Sequence, residues 1–99
     1  MKKTKAIMAK DAFELAKTLG LSSAHGLEIQ IRSDLNDKII DVVEKKKLTH
    51  AQVAKLAGTS RTRITAIMNR NTKDVSTDLM LRIIASLGVQ AKIVFQRAA

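Results

Sequence analysis

Ninety-nine residues suit a single domain, and at 45% hydrophobic the chain can bury a core rather than remain a disordered basic tail. The absence of Cys excludes a disulfide frame, a thiolate nucleophile and a Cys-ligated zinc site, and two histidines, His25 and His50, make a poor metal shell. Eighteen Lys and Arg against nine Asp and Glu leave a net charge of +9, which points to polyanions as partners.

In chain order, Met1-Lys2-Lys3-Thr4-Lys5 carries the charge of a signal peptide's first region, but Lys10 and Asp11 interrupt the apolar stretch behind it. No run approaches the ~18 apolar residues of a membrane span, so a cytoplasmic protein is expected. Residues 1–9 read as a frayed basic arm. Ala12, Leu15, Ala16 and Leu19 recur at helical spacing, and Gly20 supplies a stop. Ser22 or Ser23 can cap a following helix. Over 24–33, Leu27, Ile29 and Ile31 alternate like a strand while Leu27, Ile31 and Leu35 fit a helix, and helix is favoured.

Asp34 to Lys46 is a clearer helix, with Leu35, Ile39, Val42 and Val43 as its apolar stripe. Acids come early and Lys45-Lys46-Lys47 come last, as the helix dipole prefers, which leaves those lysines either as a charged helix end or as phosphate contacts. Residues 49–57 and 60–69 read as two short helices capped by Thr49 and Ser60, joined through Gly58-Thr59. Asn69 to Val75 is a polar loop. Ser76 or Thr77 caps a last helix bearing Leu79, Met80, Ile83, Ile84 and Leu87, closed by Gly88. Residues 89–96, rich in β-branched side chains, read as a single strand. The expected fold is mainly α: a compact bundle of about five to six helices with an N-terminal helical extension over 1–33, a core domain over 34–88 and one C-terminal β-strand in 89–99.

The charge is unevenly spread. Between Lys45 and Lys73 lie eight basic residues and no acid, and all nine acids fall outside that stretch. A field of one sign suits a phosphate backbone, and no large apolar face in the stretch suits a membrane surface instead. With Phe13 and Phe95 as the only aromatics, base-stacking on single strands is a poor fit. The two short helices meet the demands of a steep crossing: Ala54 where backbones approach, Gly58 at the turn, and Val53, Ala57, Ile64 and Ile67 as anchors beneath.

The pattern Thr49-x-x-x-Val53-Ala54-x-x-Ala57-Gly58-Thr59-Ser60-x-x-x-Ile64-x-x-Ile67-x-Asn69 resembles the helix-turn-helix of the Cro/repressor (XRE) family. The likeness runs on through Leu79 to Gly88-Val89 and covers roughly residues 35–89. A narrower likeness, through the closing helix Thr77 to Gly88, the N-terminal extension and the terminal strand, is to small regulators of the HigA antitoxin type. The resemblance implies a DNA-binding homodimer whose second short helix enters the major groove. It assigns base contacts to Arg61, Thr62, Arg63, Thr65 and Ala66, and backbone contacts to Thr49, His50, Asn69, Arg70 and Lys73. Arginine can bridge guanine O6 and N7, whereas Ala66 and the methyl of Thr62 or Thr65 suit a thymine methyl. The free N–H groups at the start of the first short helix can hold a phosphate.

The expected function is therefore a sequence-specific regulator of transcription, acting as a repressor on double-stranded DNA. The alternative is an antitoxin that neutralises a small ribonuclease toxin and represses its own operon. An enzyme is not expected, because the chain lacks a glycine-rich phosphate loop and a gathered Ser–His–acid set. No cofactor or metal is implied.

Overall fold

The computed structural model describes residues 23–95, and among them are four helices: α1 (Ser23–Lys45), α2 (His50–Ala57), α3 (Arg61–Met68) and α4 (Thr77–Ser86). The chain divides into two compact units between Asp34 and Leu35. The basic arm over 1–9, the helix expected over 11–19, the Gly20 stop and the Ser22 cap lie outside the described residues.

The expected bundle of five to six helices with a C-terminal strand is corrected in two places. Residues 24–33 and 34–46 do not form separate helices; one helix runs from Ser23 to Lys45. Asp34 lies within that helix, and its carboxylate accepts a hydrogen bond from Gln30 Nε2, one turn back, at 2.9 Å. The alternation of Leu27, Ile29 and Ile31 marks no sheet face either, since all three are exposed on the helix. The second correction concerns 89–95, which contain no strand. A strand exists only where a neighbour completes its ladder, and none of the described residues supplies one. Ile93, Val94 and Phe95 are instead 73%, 69% and 92% exposed, so β-branching expressed a preference that had nothing to pair with.

The core forms where the apolar stripes converge. Ile39, Val42 and Val43 of α1 join Val53, Ala54 and Ala57 of α2, Ile64 and Ile67 of α3, Val75, and Leu79, Met80, Ile83, Ile84 and Leu87 of α4 in one buried cluster. Helix α2 lies against both α3 and α4, so α3 is held from below by Ile64 and Ile67. Val75 pins the polar loop between α3 and α4 to the same cluster.

The three lysines after α1 have distinct places. Lys45 Nζ lies 3.3 Å from Asp41, one turn back. Lys46 Nζ donates to the carbonyl of Leu87 at 2.7 Å and so caps the end of α4 from across the molecule. Lys47 takes the left-handed backbone that ends α1, at φ 52. Lys46 thereby has a structural partner rather than an open face toward phosphate.

Gly58 closes α2 at φ 67 and ψ 40, and Thr59 N–H bonds back to the Ala54 carbonyl at 3.0 Å. A Cβ at Gly58 would meet no atom within 4 Å, so only the backbone conformation opposes a side chain there. Gly58→Ala is thus expected to lower stability by about 1 kcal/mol, a fall of roughly 4–8 °C in Tm for a domain of this size, read by thermal unfolding. An unchanged Tm would mean that the turn does not use the left-handed conformation.

Candidate nucleic-acid interface

The start of α3 is set by Ser60, whose extended backbone (φ −85, ψ 150) precedes the helix and whose Oγ accepts from Arg63 N–H at 3.2 Å. With Ile64 and Ile67 turned into the core, Arg61, Thr62 and Arg63 form an exposed first turn. Neither arginine is in an ion pair among the described residues. Thr65 is half-buried, and Ala66 packs partly against the core. The five positions expected at base edges thus differ: the first three are open, the last two partly enclosed.

Helix α2 begins at Thr49 with a reciprocal cap. Thr49 Oγ1 accepts from Gln52 N–H at 3.1 Å, and Thr49 N–H donates to Gln52 Oε1 at 2.8 Å. His50, the first residue of the helix, is half-buried because its Nδ1 lies 2.9 Å from Thr65 Oγ1 on α3. Two residues fifteen apart in the chain, one assigned to backbone and one to bases, are therefore in direct contact.

At the other end of α3, Asn69 ends the helix and is exposed. Arg70 follows in the left-handed region at φ 59, and its guanidinium donates to the Asp37 carboxylate of α1 at 2.5 Å. Next to Asp37, Asn36 is buried and its Nδ2 donates to the Ile67 carbonyl at 2.9 Å. Adjacent residues of α1 thus hold the last turn of α3 by a neutral and a charged bond. Lys73 stands exposed in the loop that follows. Ser60, Thr62, Arg63 and Ala66 share with Asn71, Asp74 and Val75 the lining of an open groove of about 580 Å³.

Several of these residues were not expected from the chain alone. Gln52 had a visible signal, since Thr49-x-x-Gln52 is the spacing of a capping box. Asn36 had one too: it stands three and seven residues before Ile39 and Val43, on the buried face of α1, and a polar group there needs a partner. Asp37, Asn71 and Asp74 had none, because their roles depend on where the loop after α3 lies.

Among the described residues no helix is long and apolar enough to cross a membrane, and no group of three or more His, Asp or Glu is placed to hold a metal ion. A family model described as a helix-turn-helix domain matches residues 15–96. Comparisons with curated proteins and with solved structures gave no significant match.

Proposed function

The chain belongs to the helix-turn-helix domain family, and from that premise we propose that it is a sequence-specific transcriptional regulator of the Cro/repressor type, binding double-stranded DNA as a homodimer. In this reading α3 enters the major groove, with Arg61, Thr62, Arg63, Thr65 and Ala66 toward base edges. Thr49, His50, Asn69, Arg70 and Lys73 hold the sugar–phosphate backbone. The carrying observation is the first turn of α3, where two arginines without ion-pair partners among the described residues flank Thr62 on an exposed surface. That turn lies within a stretch, 45–73, that contains no acid. A guanidinium presented this way can form two hydrogen bonds to one guanine.

One recognition helix per chain buries little surface, so two copies reading half-sites about 34 Å apart supply the affinity. The complex represses by covering a promoter in the cytoplasm, and the protein acts by binding rather than by catalysis. The test is a titration against DNA from upstream of its own gene and against a scrambled duplex, at one fixed salt concentration. A preference of roughly 10³ or more for one sequence is expected. For each phosphate neutralised, log K is expected to fall with log salt by a slope of about 0.9. Equal affinity for both duplexes would sink the reading.

A second reading, an antitoxin that binds a small toxin and represses its own operon, draws support from the exposed Ile93, Val94 and Phe95, an apolar segment outside the four helices that a partner could cover. Co-expression with the products of adjacent genes, followed by purification of the complex, tests it. A chain that purifies alone from every such pairing counts against it.

A further inference from the structure

We propose that Thr65 reads the C5-methyl group of a thymine in the major groove, and that His50 is the positioning residue that turns it to that task. The proposal rests on the reading of α3 as the groove helix. It selects between Thr62 and Thr65, which the sequence leaves open, and it ties a residue of α2 to a base contact on α3.

The geometry starts from one hydrogen bond, His50 Nδ1 to Thr65 Oγ1 at 2.9 Å. Threonine in a helix divides between two χ1 rotamers, because its hydroxyl can bond back to a carbonyl of the preceding turn. A partner on another helix removes that freedom. Whichever ring tautomer is present, the hydroxyl either donates to Nδ1 or accepts from it, so Oγ1 is directed at His50. With Oγ1 placed, chirality at Cβ leaves the methyl a single direction. Thr65 remains half-exposed with its hydroxyl directed at His50, which leaves the methyl as the side-chain group with no polar partner and a fixed direction. In the major groove the thymine methyl is the apolar feature that such a group can recognise. Thr62 is exposed and no hydrogen bond holds its rotamer among the described residues, so it offers hydroxyl and methyl alike and discriminates less.

His50 is held by the same bond. As the first residue of α2 its backbone is fixed by the Thr49–Gln52 cap, and its ring bridges to α3. The pair therefore moves as a unit, and losing either member loosens the other.

The experiment begins with selection of the preferred duplex from a random pool, and then replaces each thymine with uracil, one position at a time. Uracil removes the methyl and keeps the Watson–Crick edge. For the wild type, one position in each half-site is expected to lose about fourfold in affinity, the worth of one buried methyl. Thr65→Ser keeps the hydroxyl and deletes the methyl, so the uracil effect at that position vanishes while other positions keep theirs. Thr65→Ala gives the same loss and serves if the serine variant folds poorly. His50→Ala leaves Thr65 in place but unheld, and the thymine-to-uracil ratio at that position falls toward one. His50→Asn, whose carboxamide reaches the place of Nδ1, restores it. A purely structural or phosphate-binding His50 would change affinity for all duplexes and leave that ratio untouched.

Specific binding in which no uracil-sensitive position responds to Thr65→Ser, or in which His50→Ala preserves the ratio, overturns this proposal and leaves the regulator intact. Absence of any preferred sequence in the selection overturns the regulator and this proposal together.

Discussion

Ile64→Ala is expected to lower the free energy of unfolding by about 2–5 kcal/mol. The side chain is fully buried, at 0% exposure, beneath the first turn of α3. Its removal takes away both the transfer free energy of its methylenes and the contacts of the atoms that faced them, because a close-packed interior relaxes little into the space. Small domains hold about 5–15 kcal/mol in total, so the loss is a large share of what keeps the fold together. Ile64 is also one of two residues that hold α3 from below, and its loss should weaken DNA binding without touching the exposed face. Urea unfolding followed by helical circular dichroism measures the change, with Thr62→Ala as an exposed control expected within about 0.5 kcal/mol of the wild type. A cost below about 1 kcal/mol for Ile64→Ala would mean that α3 does not pack on α2 through this residue.

Replacing the two arginines of the first turn should separate specificity from affinity. Arg61→Ala is expected to cost about 1–3 kcal/mol at the preferred site, roughly 5- to 150-fold, and much less on a scrambled duplex. The reason is that a bidentate guanine contact is lost only where the guanine is present. Arg63→Ala, at the second base-edge arginine, should show the same sequence-dependent loss, whereas an equal loss on all duplexes with a salt slope shallower by about 1 would place it on a phosphate instead. Both residues are exposed, so neither substitution should change stability by more than about 0.5 kcal/mol. Gel shifts at two salt concentrations distinguish the two patterns. Wild-type binding by both variants would remove the first turn of α3 from the interface.

Arg70 illustrates why a residue list is less than an interface. Its position after α3 matched a phosphate contact, yet its guanidinium lies on Asp37, and its backbone takes a conformation that favours glycine. The ion pair is between groups 59% and 40% exposed, so it contributes little to stability. To reach a phosphate, Arg70 would have to exchange one anion for another, a cost that Arg61 and Arg63, in no ion pair among the described residues, would not meet.

Much of the fold core was legible because it depends on local rules. Thr49, Ser60 and Ser76 cap their helices since a side-chain oxygen before a helical run satisfies orphan N–H groups. Gly58 takes positive φ because no Cβ opposes it, and Val53, Ala57, Ile64 and Ile67 are buried because their spacing places them on one face. The extent of α1 was not legible, since Ser33-Asp34 reads equally as the inside of a helix or as the start of one. The strand expected over 89–96 is absent from its described part, 89–95, because β-preference is a statement about fit to a neighbouring strand, which local pattern cannot supply.

What the sequence by itself determined was the short-range part: an acid-free basic stretch, two capped helices with a glycine turn, and an apolar face beneath them. Hydrogen-bond capping, allowed φ and helical periodicity act over a few residues, so they are written in order along the chain. What only the tertiary structure decided was which side chains meet across distance: His50 with Thr65, Asn36 with the Ile67 carbonyl, Asp37 with Arg70, and Lys46 with the Leu87 carbonyl. Those pairs are fifteen to forty-one residues apart and follow from how the helices pack around one core. Packing therefore decides which of the +9 chain's polar groups are committed internally and which remain open to a partner.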